Sequence, residues 1–175
     1  MHRIVFAITS LEQHLETLRC TPEVYRPSAC PHCGLDRCRR HGCYKRKADR
    51  EGRLNPIAIP RFLCGGCGGS CSRLPQCIAP RRWYAWATQQ QVLEKLLQGA
   101  SLSRCSECMG LYRHTVRRWR DWLILRTQTF EFFLKSRFPD LGRSPDWKAF
   151  WSSCFTRMSL SEAMAWLDGD GELVP

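Results

Sequence analysis

Two Cys-x-x-Cys pairs, Cys30-Pro-His-Cys33 and Cys64-Gly-Gly-Cys67, stand on either side of a strongly basic stretch. Four thiolates in two such pairs are the donor set of a tetrahedral Zn²⁺ site, because two intervening residues let both sulfurs of a pair turn toward one ion. The gap from Leu35 to Leu63 is long enough for a β-hairpin to run out and return. The pattern therefore predicts a zinc ribbon with a structural site on Cys30, Cys33, Cys64 and Cys67, saturated by protein sulfur and closed to water. So small and hydrophilic a unit has little core of its own. Metal binding then supplies much of its folding free energy, roughly 10–16 kcal/mol apparent in zinc-finger peptides.

Eight further cysteines complete a total of twelve. Cys38, Cys43, Cys71 and Cys77 lie near the knuckles at irregular spacing. They read as small buried hydrophobes rather than as a second site completed by His32 or His41. Cys105 and Cys108 also spell Cys-x-x-Cys, but they fall in a predicted helix that sends Cys105 to the core and leaves Cys108 facing away or at an edge. Cys20 and Cys154 stand alone. The chain opens with no secretory pattern, and no stretch approaches the length of a membrane span. A reducing cytosol fits this cysteine usage.

The second kind of chemistry is electrostatic. The formal charge is +11; residues 1–126 hold 22 Lys/Arg against 9 Asp/Glu, and the remainder 5 against 7. Arg37 to Arg61 alone carries nine Lys/Arg and two acids, Asp49 and Glu51. Arg39, Arg40, Lys45, Arg46, Lys47, Arg50, Arg53 and Arg61 cannot all be internal, and contact with phosphate is their natural use. Further on, Ser101 to Gly110 has the form of a first helix and tight turn, and Leu111 to Trp119 that of a second helix. There Val116 and Trp119 face the core, while Arg113, His114, Thr115, Arg117 and Arg118 are left for a DNA groove and its phosphates. Tyr112 stands where such helices often carry a small capping residue.

Those residues need elements to position them. Ile4, Ile8, Leu11, Leu15 and Leu18 keep helical spacing over Ile4–Leu18, and Ser10 with Gln13 marks a second candidate start. Gly42–Arg46 and Ile57–Leu63 predict the hairpin strands around a polar turn at Ala48–Asn55, with Pro60 demoting the return strand to an edge or a bulge. Helices are expected over Trp83–Gln98, Leu102–Met109, Arg113 to about Phe133, Asp146–Phe155 and Leu160–Leu167, with a loop from Pro139 to Pro145. The expected fold is mainly α with a small β zinc ribbon. It comprises an N-terminal helix and extended lead-in (1–29), the ribbon (30–80), a helix-turn-helix (81–126) and a C-terminal helical segment (127–175).

The order CPHCG, RRHGCYKR, IPRFLCGGC and then TVRRW resembles the N-terminal module of bacterial insertion-sequence transposases, and related small proteins of mobile elements. The resemblance covers roughly Ser28 to Trp122. It implies a zinc ribbon joined to a DNA-binding bihelix that recognises element ends or an operator, with the four knuckle cysteines as ligands and Arg113 to Arg118 as the reading segment. It also implies double-stranded DNA and a recombinase or transposase as partners and a bacterial, nucleoid-associated location; helix-turn-helix proteins often pair as homodimers on palindromic sites, though nothing in the residues fixes the stoichiometry.

Full transposases of that kind continue into a ribonuclease-H-like domain with three acids on Mg²⁺. Only 49 residues follow Arg126 here, and they read as helical. Glu131, Asp140, Asp146, Glu162, Asp168, Asp170 and Glu172 are therefore expected to be solvated, and no catalytic residue is expected. The expected role is a transposition or recombination accessory factor or a transcription regulator. The alternative is a zinc-ribbon adaptor for protein or RNA, for which Trp147, Trp151 and Trp166 offer a docking tail; packing of the terminal helices is the preferred use of two of the three.

Overall fold

Apolar strand residues and capped amphipathic helices sort the chain into two units: 1–85 with 168–175, and 86–167. The structure, a computed structural model, describes residues 3–48, 52, 54–80 and 84–174. Asp49, Arg50, Glu51 and Arg53 of the expected polar turn, and Trp83 at the expected helix start, lie outside the described residues.

The first unit is built on a three-stranded antiparallel sheet. Strand β2 (Cys38–Arg46) pairs with β3 (Ile57–Cys64), which pairs with β4 (Ser70–Ser72). The hairpin register sets Cys38 opposite Cys64 and Arg46 opposite Ile57, with a bulge between Arg40 and Cys43. The sequence reading missed β4 and made β2 too short. Of the two readings of Pro60, an edge or a bulge, the edge does not hold, since β3 is the central strand, while a bulge does lie opposite Pro60. Pro60 is tolerated because it lies beside the bulge and beyond Arg61, the last β3 residue that β4 reaches.

The predicted helix over Ile4–Leu18 is corrected in its first half. Ile4–Val5 form β1, parallel to β5 (Leu74–Pro75), and helix α1 begins at Leu11 and ends at Cys20. The start falls where the capping signal lies: the Ser10 side chain accepts the Gln13 N–H. Ile4, Val5 and Ile8 are buried all the same, but as strand and loop residues.

Helix α1 is tied to the sheet by one fully buried polar residue. His14 Nε2 lies 3.0 Å from the Ala58 carbonyl oxygen and Nδ1 2.6 Å from the Tyr25 hydroxyl. A carbonyl only accepts, so Nε2 carries the proton and Nδ1 accepts from Tyr25. Burial draws the His14 pKa below its usual value, partly opposed by the Ala58 bond.

The second unit is helical: α2 (Trp86–Leu97), α3 (Leu102–Met109), α4 (Arg113–Arg137), α5 (Trp147–Arg157) and most of α6 (Leu160–Gly169). Helix α4 is longer than predicted, and the Pro139–Pro145 loop contains a short 3₁₀ turn at Pro139–Leu141. Val92, Cys105, Val116, Leu123, Phe130, Leu134, Trp151 and Met164 form its dry interior. Trp151 Nε1 donates to Thr127 Oγ1 at 3.0 Å, and Thr127 donates in turn to Leu123 O, so the deepest indole is fully partnered. Trp147 and Trp166 are only half-buried; Trp166 stacks edge-on to Phe138 under the Arg137 guanidinium.

The sign of the His14 effect follows from its lowered pKa. The unfolded chain binds the proton first, so stability is complete above the unfolded value of about 6.5 and falls as pH drops below it. Urea midpoints at about pH 7.5 and 5 should separate more for the native chain than for His14→Gln. That variant should itself be weaker by about 1–3 kcal/mol, through stranded partners.

Candidate metal centre and basic helix

Each knuckle is a backbone turn that aims N–H groups at its own sulfurs. In the first, Gly34 N donates to Cys30 O at 2.8 Å, Cys30 N to Leu35 O, and the His32 amide lies 3.4 Å from Cys30 Sγ. In the second, Gly68 N donates to Cys64 O at 3.0 Å, Cys64 N to Gly69 O, and the Gly66 and Gly69 amides approach Cys64 Sγ and Cys67 Sγ at 3.3 and 3.4 Å. Gly34 and Gly68 hold the same place in the two turns, at φ +73° and +68°, a conformation that costs an L side chain roughly 1–2 kcal/mol. The Gly65 amide bonds Arg37 O across the hairpin base, joining one knuckle to the other.

These turns bring four sulfurs to one point. Cys30 Sγ is 3.7 Å from Cys67 Sγ, Cys33 Sγ is 3.6 Å from Cys64 Sγ, and all four lie within 4.8 Å of one another. Cys30, Cys33, Cys64 and Cys67 are thus positioned to bind one metal ion. Among the described residues they are the one cluster of three or more metal-ligating side chains. Amides of Cys67 and Gly66 draw the Cys64 thiol down to about 6, and the His32 amide lowers Cys30. At Cys33 the Leu35 amide pulls the same way, but desolvation and the other three sulfurs push it up to about 12. So crowded a set ionises fully only around a cation.

Of the remaining cysteines, Cys38, Cys71, Cys77, Cys105 and Cys154 serve as packing, whereas Cys20 and Cys43 are exposed; Cys43, expected to be a buried hydrophobe, lies on the hairpin surface beside the bulge. Burial pushes Cys38 up to about 12, Cys77 to about 11 and Cys154 to about 12, which keeps them as thiols. Cys38 sits in the core with Val5, Ile8, Tyr25 and Phe62, and Cys71 packs against it. Cys105 is fully buried in α3, and Cys108 is exposed.

In the second unit Ser101 caps α3, whose end is set by Gly110 in the left-handed conformation at φ +58°, bonded back to Glu107 O and Ser106 O. Ser106 Oγ donates to Leu111 O, closing the turn before α4. On the first two turns of α4, Val116 and Trp119 are buried, Arg113, His114, Arg117 and Arg118 are exposed, and Thr115 is half-buried. Tyr112 provides no side-chain cap; it is 72% exposed and stacks on His114 at 5.7 Å. That exposed ring beside the arginines was not foreseen.

On the hairpin the sequence grouped Lys45, Arg46, Lys47 and Arg61 as one patch. Strand alternation divides it: Tyr44 and Arg46 share the face of Arg61 and Ser72, and Lys45 points to the other. Lys45 and Lys47 are exposed, Arg46 and Arg61 half-buried, and Arg61 reaches Ser70 Oγ at 3.4 Å. Of the acids expected to be solvated, Asp140, Asp146 and Glu162 are exposed and make surface contacts as well: Asp146 caps α5, Glu162 accepts from the Ser159 amide and hydroxyl, and Asp140 pairs with Arg157, as Glu131 does with Lys135. Asp168 departs from that expectation most. It is 1% exposed, and its Oδ2 accepts the Arg3 and Ile4 amides at 2.6 and 2.8 Å. No helix among the described residues is long and apolar enough to cross a membrane.

Residues 30–119, just over half the chain, match a family described as Domain of unknown function (DUF6431), and the chain belongs to that family. The matched span runs from the first knuckle cysteine to Trp119 of α4. No curated protein and no solved structure matches the chain.

Metal analysis of anaerobically purified protein should find one ion per chain. Cys30→Ser or Cys64→Ser should lose it and unfold the ribbon, whereas Cys38→Ser and Cys71→Ser should keep it. Gly110→Val should lower stability by roughly 1–2 kcal/mol in thermal melts, since valine resists the left-handed cap.

Proposed function

We propose that this protein is a zinc-dependent, sequence-specific DNA-binding protein of a mobile genetic element, serving as a transposition or recombination accessory factor or as a transcription regulator. In this reading it binds DNA without cutting it. The observation that carries the proposal is the start of α4. Directly after a tight glycine turn, one face is buried by Val116 and Trp119, and the rest exposes Arg113, His114, Arg117 and Arg118. A helix-turn-helix presents its second helix in this manner, and arginine there can grip a guanine edge in bidentate fashion or a phosphate.

Zinc is the metal that the donor set favours. Four sulfurs at about 2.3 Å from a tetrahedral ion stand about 3.8 Å apart, close to the separations between the knuckles. Bound there, zinc closes the hairpin base and supplies no chemistry to a substrate. Lys45, Arg46, Lys47 and Arg61 of the hairpin then add phosphate contacts and salt dependence.

A protein-binding adaptor is the second reading, favoured by Ile124, Leu125 and Phe132, which stand 40%, 79% and 66% exposed along α4. Nuclease-resistant capture of a recombinase or transposase would support it. For the DNA reading, mobility shifts should show preference for the element's own ends or promoter over random duplex and over structured RNA at physiological salt. Arg117→Ala or Arg118→Ala should each cost about 1–3 kcal/mol where the side chain reads a base. Equal affinity for all duplexes would contradict sequence reading.

A further inference from the structure

The ribbon carries a cleft of about 600 Å³ that the duplex-binding helix does not use. Its lining includes Arg3, Tyr44, Arg46, Lys47 and Ser72, with Leu74 and Pro80 as an apolar wall and no Asp or Glu among the described lining residues. Register explains the convergence. Tyr44 and Arg46, two apart on β2, face the same way as Ser72, which pairs with Arg61; β1 beside β5 brings Arg3 to the same place. The Arg46 guanidinium is oriented by donating to Lys47 O and Ala79 O, both at 3.2 Å.

A second cavity of about 250 Å³ shares Arg3 and Ser72 with the first and adds Arg73. Arg73 donates from one terminal nitrogen to Ile4 O at 3.3 Å, while its Nε is buried with no hydrogen-bond partner. An orphaned guanidinium N–H at the wall of a cavity calls for an acceptor. Asp168, whose Oδ2 accepts the Arg3 and Ile4 amides, also favours the Arg73 charge electrostatically.

We propose that these two cavities, which share Arg3 and Ser72, hold an unpaired nucleotide and the phosphate next to it. The base lies against Tyr44 and the apolar wall, Arg3, Arg46 and Lys47 surround its phosphate, and Arg73 meets the neighbouring one. Phosphate alone has no use for an aromatic ring and an apolar wall. Stacked bases in a duplex present no free face to a tyrosine, whereas a single strand does. The inference rests on the reading that the basic ribbon meets nucleic acid, and it assigns Arg46 and Lys47 to unpaired DNA.

Fluorescence anisotropy of the full chain with a labelled oligothymidine of about 12 nucleotides, and with a duplex of equal length, tests it. Tyr44→Ala should weaken single-strand binding roughly 5–100-fold and spare the duplex, while Tyr44→Phe, which keeps the ring, should retain both. Arg117→Ala combined with Arg118→Ala should do the reverse. If Tyr44→Ala does not fold, Lys47→Glu at an exposed position should show the larger loss on the single strand. Thymidine monophosphate is the competitor: displacement by it places a free nucleotide in the cleft, and displacement by unlabelled oligonucleotide alone places a strand there. No single-strand binding by the native chain, or equal losses on both DNAs from Tyr44→Ala, would overturn the proposal. Loss of duplex preference with intact single-strand binding would instead remove the helix reading and leave the cleft standing.

Discussion

The first unit depends on the repulsion among four sulfurs. Cys30, Cys33, Cys64 and Cys67 converge within 4.8 Å, from two turns that each point amide hydrogens at their own sulfurs. Those amides favour thiolates, yet thiolates so close together repel unless a cation lies between them. The same convergence pins the two ends of a hairpin whose first strand, Cys38–Arg46, is basic. Cys38 opposite Cys64 in the ladder, and Gly65 bonded to Arg37, carry the clamp directly into the β-sheet. From there Phe62 and Tyr25 link it to the core shared with Val5 and Ile8, and His14 fastens α1 to the same sheet.

The helical unit follows a different logic. It has abundant apolar surface to bury and needs no clamp, so its charged side chains are free to specialise. A tight constraint between α3 and α4 is the left-handed Gly110, which ends α3 before α4 begins. The first turns of α4 then expose arginines on one side of a buried Val116–Trp119 seam. Further along the same helix the exposed side chains become apolar at Leu125 and Phe132, so one helix presents two chemically distinct surfaces.

Much of this was legible in the residues. The knuckles were, because two Cys-x-x-Cys pairs constrain geometry through spacing alone, and the α3–turn–α4 pattern was, because Gly110 and the Val116/Trp119 spacing are local signals. What escaped was non-local. Ile4 and Val5 carry a helical period but are claimed by pairing with Leu74 and Pro75, some seventy residues away in sequence. Pro60 suggested an edge or a bulge; the bulge is present, and with the short reach of β4, which no local signal reveals, it lets Pro60 sit in the central strand. Asp168 looked like one more solvated acid near a terminus; it is a buried acceptor for two amides near the other terminus. The Tyr44 cleft was likewise invisible, since it assembles Arg3, β2 and the start of β5 from three parts of the chain.

Zinc K-edge X-ray absorption of the anaerobically purified full chain tests the central claim most directly. A shell of four sulfur scatterers at about 2.3 Å, with no nitrogen or oxygen neighbour, is the predicted result. A folded protein without zinc, or an ion with light-atom ligands, would contradict it.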